Sequence, residues 1–203
     1  MHSKNLVIRV LPLVLAIAAL APSVRAEDWY LKKDAGSTTY KALFTTDAPN
    51  FWTNSLGEAV STIAASDDCY IQDGYTLTMY AAHAFPGAKL HLGALDGSTA
   101  GTLKFRQYNL TASDFRWHRG TITTNYGERR MTFSGNIYFD CPVNGHVISA
   151  GSNGNIFWFN AVLHCEFEDL VMKLQTKKTD FILAIGGDNS DFRGKMSHSA
   201  DTT

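Results

Sequence analysis

Acidic residues in the last third of the chain are the side chains whose type and spacing could support catalysis. Glu166, Glu168 and Asp169 lie within four positions of one another, and Asp140 lies upstream of them. Two carboxyl groups beside a glycosidic bond can act as general acid and general base in polysaccharide cleavage. Because carboxylates that alternate along a strand more often form its solvated face, we predict no catalytic residue among them.

A second group of carboxylates could bind calcium, which takes several oxygen ligands. Asp67, Asp68 and Asp73 are close in sequence, but they do not form the D-x-D-x-D-G pattern of a calcium loop. A polar turn with a capping aspartate before a strand accounts for them as well. The histidines lack the H-x-x-x-H and H-E-x-x-H spacings of metal sites. We therefore expect no metal and no cofactor.

Aromatic side chains could form a surface on which sugar rings stack. The candidates are Trp117, Trp158, Tyr108, Tyr126 and Tyr138. The same side chains could instead fill the interior of the fold, where aromatic rings pack in offset or edge-to-face pairs. Glycans or other surface macromolecules are the partners that the first alternative implies.

The start of the chain, residues 1–26, has the three parts of a secretory signal peptide. Lys4 and Arg9 make the start basic, and residues 10–21 (VLPLVLAIAALA) form an apolar run. This run is shorter than the roughly 17–25 residues of a membrane-spanning helix. Val24 and Ala26 place small side chains before the predicted cut. We predict that residues 1–26 are a signal peptide and that the mature chain is exported to the extracellular space, the outer cell surface or the periplasm.

The composition of the mature chain, residues 27–203, limits its partners. This length suffices for one domain with a hydrophobic core. Acidic side chains outnumber basic ones, and this mild negative charge argues against nucleic acid or an anionic membrane as partner. No apolar segment after Ala26 is long enough to cross a membrane as a helix. The oligomeric state does not follow from these properties.

Short runs rich in β-branched and aromatic residues make up the chain after Ser66. Examples are residues 75–80 (YTLTMY), 101–105 (GTLKF) and 131–140 (MTFSGNIYFD), and Gly, Asn and Asp separate such runs. This pattern is typical of strands and predicts an all-β domain over residues 67–203.

One segment before this domain has helical periodicity. Residues 56–65 (LGEAVSTIAA) place apolar side chains on one face, and Asn54 or Ser55 could cap the helix. We predict an N-terminal cap segment over residues 27–66 that carries this short helix.

A regular repeat with a period of about 24 residues favours a β-solenoid among the all-β folds. Trp117, Cys141 and Cys165 follow one another at this constant interval. Two further sets keep the same spacing, one of inward apolar residues and one of polar residues: Phe115, Phe139 and Leu163, and Arg116, Asp140 and His164. In a parallel β-helix, neighbouring coils stack about 4.8 Å apart. Cys141 would then lie directly above Cys165, as a disulfide or as two stacked buried thiols.

A second repeat agrees with coils of this length. Residues 113–116 and 190–193 both read SDFR, and the offset between them corresponds to about three coils. The alternative architecture is a β-sandwich, which also shows short strands at regular intervals.

Four short motifs follow one another between positions 50 and 125. They are residues 51–54 (FWTN), 71–77 (IQDGYTL), 85–93 (FPGAKLHLG) and 101–103 (GTL). In this order they resemble the N-terminal end of bacterial surface proteins of the autotransporter-passenger type. The resemblance implies a right-handed parallel β-helix. Those proteins continue into a membrane-embedded translocator, whereas this sequence ends in KMSHSADTT. We therefore expect either a solenoid truncated at its C-terminus or secretion by another route.

These features predict a secreted or cell-surface protein without enzymatic activity, similar to an adhesin or autotransporter passenger, with a binding or structural role. One alternative is a β-helical polysaccharide lyase or hydrolase. It would need carboxylates or basic residues clustered along one groove, and the charges are scattered along this sequence. The other alternative is a carbohydrate-binding β-sandwich module with aromatic side chains exposed on one face.

Overall fold

A computed structural model describes residues 26–124, 130–150, 156–176 and 182–200. Residues 1–25 of the predicted signal peptide and Tyr126 of the aromatic candidates lie outside the described residues. Within the described ranges, no helix has the length and apolarity needed to span a membrane.

The described strands form two sheets whose buried side chains contribute to one hydrophobic core. Sheet A contains β1 (Asp28–Leu31), β2 (Trp52–Thr53), β3 (Asp68–Ile71), β5 (His83–Ala84), β6 (Lys89–Leu92), β8 (Leu110–Trp117), β10 (Arg130–Tyr138), β12 (Ile156–His164) and β14 (Ile182–Gly186). Sheet B contains β4 (Thr76–Met79), β7 (Gly101–Phe105), β9 (Gly120–Thr124), β11 (His146–Ala150), β13 (Val171–Thr176) and β15 (Lys195–Ala200).

The strand order establishes a parallel β-helix. The chain alternates between the two sheets, and from β3 to β15 the described neighbours pair in parallel. In β7, β9 and β11, alternate residues are buried, because successive side chains of a strand point to opposite faces of its sheet. The predicted solenoid is thus confirmed, and the β-sandwich, which requires antiparallel strands, is excluded.

The register between coils differs from the constant repeat that the sequence predicts. Phe115 pairs with Ile137 in the next coil, and Ile137 pairs with Leu163 in the coil after it. The first step is two positions shorter than the predicted period and the second is two positions longer. Phe115 and Leu163 therefore belong to one row, as predicted, but Phe139 is not its middle member. The predicted alignment is correct for the outer residues and wrong for the central one.

The same shift applies to the row of Trp117. The Trp117 ring stacks on Phe139, with ring centres 5.4 Å apart, and not on Cys141. Cys165 follows His164, the partner of Tyr138, and it forms a parallel bridge with Phe192. Phe192 accordingly belongs to the row of Trp117 rather than that of Phe115. The two SDFR segments are therefore three coils apart, but the second is displaced by two positions along the strand relative to the first.

A β-bulge in β8 accounts for one position of the change between β8 and β10, whereas β10 and β12 pair without a bulge at a constant offset. The pairing of Ala112 with Gly135 is followed by that of Phe115 with Ile137, so β8 holds one residue more than β10 at this point. Asn136 donates a side-chain hydrogen bond of 3.0 Å to the Ser113 carbonyl at the bulge. An extra residue on one strand is the defining feature of a bulge, and it shifts every later pair.

The cap segment does not contain the helix predicted over residues 56–65. Asn54 Oδ1 accepts hydrogen bonds from the backbone N–H groups of Leu56 and Glu58, which closes a tight turn instead. Gly57 within this turn has φ +84°, outside the helical region. Ala59 then bridges to Thr53, and the helical turn that the cap does contain is a 3-10 turn, Ala48–Asn50.

Asp67 joins the cap to the first coils. Its buried carboxylate accepts hydrogen bonds from Trp29 Nε1 at 2.9 Å, from the Ala64 N–H at 2.9 Å and from the Glu27 N–H at 3.2 Å. Asp67 therefore caps N–H groups, as in the alternative to calcium binding that the sequence offered.

Replacing Asp67 with Ala should lower the free energy of unfolding by about 2 kcal/mol, because buried N–H groups would lose their acceptor. Urea unfolding followed by tryptophan fluorescence would measure the change. Asp169→Ala, at an exposed carboxylate, is the matched control and should have little effect. A loss in Asp67→Ala no larger than in this control would contradict the assigned role.

Candidate functional site

A cleft of about 560 Å³ lies on the outer face of sheet A, where the later strands end. We call it the charged cleft and define it by its charged, histidine and tyrosine lining residues, namely Arg116, Tyr138, Asp140, His164, Glu166, Asp191 and Arg193. Concave sites with convergent polar groups are the usual places for ligand binding on a protein surface.

The strand register arranges these side chains in two rows along the solenoid. Tyr138 pairs with Arg116 on one side and with His164 on the other, and Asp191 contacts His164 from the next coil. The second row lies two positions further along each chain segment and consists of Asp140, Glu166 and Arg193. Because strand side chains repeat with a period of two, both rows face outward, and coils separated by about 4.8 Å bring their members together.

Arg116 is held in place by two carboxylates. Its Nε and Nη2 atoms donate to the two oxygens of Asp114, with Nη2 at 2.8 Å, and its Nη1 donates to Asp140 Oδ2 at 3.0 Å. The guanidinium carbon also lies 3.9 Å from the centre of the Tyr138 ring. The hydrogen bonds to Asp114 and Asp140 raise the pKa of Arg116 further, so it stays charged. Arg116 therefore orients Asp140 and Tyr138 in the cleft.

His164 occupies the middle of the cleft with fixed neighbours. Its Nδ1 lies 3.4 Å from Asp191 Oδ2, and its Nε2 lies 3.3 Å from Asn136 Oδ1. Its ring stacks on Tyr138 with centres 4.4 Å apart and planes 11° from parallel. About a quarter of its side chain, 26 %, remains exposed, so a ligand can reach it.

Stacking between coils uses the ring faces that could otherwise hold a sugar. Tyr138 has Arg116 on one face and His164 on the other, so it presents its edge to solvent. Trp117 is fully buried inside the solenoid, and Tyr108 packs against the core. Trp158 is half-buried on β12. The structure therefore does not gather the described aromatic candidates into a stacking platform, and recognition at the cleft depends on polar groups.

Two of the four carboxylates considered for catalysis enter the charged cleft. Asp140 and Glu166 line it, whereas Glu168 and Asp169 do not, and Asp169 contacts Lys195 at 3.3 Å instead. Charges that are scattered in sequence are thus clustered in space. The signal for this clustering was the regular spacing of Arg116, Asp140 and His164, which reflects the coil length.

The three aspartates considered for calcium have separate partners. Asp67 accepts three N–H groups of the cap. Asp68 lies 3.9 Å from Lys89 and 3.5 Å from His91, and Asp73 lies in a turn with φ +58°. In the described ranges, no three or more His, Cys, Asp or Glu side chains are arranged to hold a metal ion.

A cluster of buried histidines lies beside the earlier coils and was not expected from the sequence. His91 Nδ1 and His118 Nε2 are 2.9 Å apart with nearly parallel rings, and His146 Nε2 lies 2.9 Å from the Trp117 carbonyl oxygen. Burial and the neighbouring His118 lower the pKa of His91 to about 3, and burial lowers the pKa values of His118 and His146. We call these three residues the histidine cluster.

The thiols of Cys69, Cys141 and Cys165 are buried and unbridged in the structure. Cys141 and Cys165 are not stacked on each other, because the pairing of Tyr138 with His164 places Phe139 opposite Cys165. Burial raises the pKa values of Cys69 and Cys165, so these thiols are poor nucleophiles. They act as small apolar side chains in the described structure.

Comparison of the chain with models of protein families, with curated proteins and with solved structures gave no match. Its function is therefore inferred from the charged cleft and the fold that positions it.

Proposed function

We propose that this protein is an exported, non-enzymatic β-helix protein that binds a glycan in the charged cleft, in the manner of an adhesin or surface-presented passenger. The observation that supports the proposal most directly is the arrangement of the cleft. It places hydrogen-bond donors and acceptors close together in two rows on a parallel sheet. Glycans offer hydroxyl groups that can donate and accept hydrogen bonds at short intervals.

The surroundings of the carboxylates favour binding over cleavage. A carboxyl group that donates a proton at neutral pH needs an environment that disfavours its charge, usually an apolar pocket. Glu166 is exposed, and 72 % of the Asp191 side chain is exposed. Asp140 accepts a hydrogen bond from the Arg116 guanidinium and so does not lie in an apolar pocket. These carboxylates are therefore suited to accept hydrogen bonds from a ligand.

Fixed side chains also reduce the entropic cost of binding. Arg116, Tyr138 and His164 hold one another through ion pairing and stacking between coils. Because they are ordered before a ligand arrives, little conformational entropy is lost on association.

The test is a glycan array probed with the mature protein, followed by calorimetry on the best ligand. The panel should contain neutral, acidic and amino glycans. Replacing His164 with Ala should weaken binding about fivefold or more, because the ligand loses a hydrogen-bonding partner in the middle of the cleft. Lys173→Ala, on the exposed side of β13 in sheet B, is the control and should bind normally.

A parallel incubation separates binding from turnover. The bound glycan should be recovered intact, with no new reducing ends and no unsaturated sugar products. Release of either product, with loss of that activity in Asp140→Asn, would support the hydrolase or lyase instead. Equal binding by His164→Ala and Lys173→Ala would show that the ligand does not occupy the cleft.

A further inference from the structure

The charges in and beside the charged cleft do not balance. Arg116 and Arg193 supply two positive charges, while four carboxylates surround them, those of Asp114, Asp140, Glu166 and Asp191. The cleft therefore has a surplus of two negative charges when His164 is neutral, and of one when it is protonated. The surplus makes a positively charged ligand group favourable here and an anionic one unfavourable.

The pairing of these groups shows which carboxylates are available to a ligand. Asp114 and Asp140 both bind Arg116, so they are already neutralised in part. Asp191 contacts His164 but remains largely exposed, and Glu166 makes no ion pair with any residue in the described ranges. Glu166 and Asp191 are therefore the carboxylates that can accept a new charged partner.

We propose that the charged cleft is selective for glycans that carry primary ammonium groups, that is, amino-sugar chains that are not N-acetylated. This proposal rests on the glycan-binding function proposed above. An ammonium group is a compact charge with three hydrogen-bond donors, which suits two carboxylates on neighbouring coils. A uronic acid would place its own carboxylate against Glu166 and Asp191 and would be repelled.

The groups beside these carboxylates favour a sugar over a lysine side chain as the source of the ammonium group. Arg193 lines the cleft next to Asp191, and His164 lies between Asp191 and Tyr138. Each amino sugar has hydroxyl groups next to its ammonium group, and these can bind the guanidinium and imidazole. A lysine side chain carries the same ammonium group on an aliphatic stem and offers no hydroxyl groups to the guanidinium and imidazole.

The experiment compares ligands that differ in one group. Calorimetry should measure the binding of a glucosamine hexamer, an N-acetylglucosamine hexamer, a galacturonate hexamer and a hexalysine peptide. We expect the glucosamine hexamer to bind about five- to tenfold more tightly than its acetylated counterpart, since each exposed charge pair contributes modestly. The preference should shrink as salt is added, because exposed charges are screened.

Matched variants locate the effect on the cleft. Glu166→Gln and Asp191→Asn should each reduce the affinity for the glucosamine hexamer about three- to fivefold and leave that for the acetylated hexamer nearly unchanged. Glu168→Gln and Asp169→Asn remove the same charges from the same segment outside the cleft, and they should have less than about a twofold effect. Circular dichroism of each variant would verify that the fold is intact.

The outcomes distinguish this inference from the proposed function. Tighter binding of the acetylated or galacturonate hexamer would overturn the ammonium selectivity while leaving glycan binding in place. Hexalysine binding as tight as the glucosamine hexamer, with equal sensitivity to Glu166→Gln, would show that the cleft recognises a peptide cation and would overturn the inference. Absence of binding to every glycan in both experiments would refute the proposed function itself.

Discussion

Lowering the pH from about 7.5 to about 4.5 should destabilise this protein by several kcal/mol, through the histidine cluster. Burial lowers the pKa of each of the three imidazoles in the folded state, and that of His91 falls to about 3. An unfolded chain would protonate them near their ordinary pKa of about 6.5. Folding therefore releases protons, and their contribution to stability is complete above about pH 6.5 and is lost as the pH falls below it.

The contacts around the cluster explain why it resists protonation. His91 packs against Tyr70 on one face and His118 on the other, and its Nε2 lies 3.5 Å from Asp68, too far for a strong hydrogen bond. His118 Nδ1 and His146 Nδ1 have no hydrogen-bond partner among the described residues. A proton added to either nitrogen would create a buried charge without an acceptor, which is costly.

Nearby charged groups modify this dependence without reversing it. Lys89 and Arg116 lower the pKa of His91 further, while Asp114 acts in the opposite sense. Burial raises the pKa of Asp68, so that carboxyl group favours the folded state as it becomes protonated at more acidic pH. This opposing effect comes from one partly exposed group, and the three buried imidazoles outweigh it.

Urea unfolding midpoints measured across this pH range would check the prediction. Replacing His118 with Asn removes one titrating group and should reduce the pH dependence by up to about 1.4 kcal/mol per pH unit, the value for one proton. His198→Asn, at an exposed histidine on β15 outside the cluster, is the control and should leave the contribution of the cluster in place. Stability that does not vary between about pH 7.5 and 5 would be incompatible with the cluster as described.

Replacing Gly135 with Ala should cost about 4 kcal/mol or more of unfolding free energy, a loss that places it among the most damaging single substitutions. Gly135 has φ +121°, and a β-carbon there would lie 1.7 Å from the Ala112 carbonyl oxygen on the neighbouring strand. The backbone of β8 would have to move, although its pairing with β10 continues on both sides of the bulge. Both the strained φ and the steric clash oppose the substitution.

Gly74→Ala separates these two effects. Gly74 also has a positive φ, +80°, but a β-carbon there would meet no atom within 4 Å. This variant should lose only the conformational preference of glycine, about 1 kcal/mol. Urea unfolding of the two variants gives the comparison, and equal losses would show that β8 and β10 are not in the register described. Since β10 carries Tyr138 and leads into Asp140, Gly135→Ala should also weaken the glycan binding proposed for the cleft.

The alternation of β-branched and aromatic residues predicted the strands, and the regular spacing of Trp117, Cys141 and Cys165 predicted the solenoid. The first pattern is local, because alternation depends only on the two faces of one strand. The second is an average, because the mean coil length remains visible in the sequence when individual coils differ in length. The unequal steps from Phe115 to Ile137 and on to Leu163 show why the average was correct and the middle of each row was not.

The helix predicted over residues 56–65 failed for a related reason. Val60 and Ile63 are buried, as the periodicity required, but they reach the core from a non-helical segment, where their N–H groups donate to the carbonyl oxygens of Trp52 and Phe44. The helical spacing of apolar residues predicted which side chains are buried, but it did not predict the conformation of the backbone. The backbone forms a turn at Asn54 instead of a helix, because the Asn54 side chain accepts hydrogen bonds from the N–H groups of Leu56 and Glu58.

The sequence by itself determined the class of fold, the approximate length of a coil and the identity of the charged residues. Tertiary structure alone decided which of those residues meet, because contacts between coils depend on the register. The register depends on the number of residues in each coil, and the bulge in β8 changes it by one position for the later β8–β10 pairs. The charged cleft and the histidine cluster both arise in this way, since each joins side chains that lie a full coil apart in the chain and about one strand spacing apart in space.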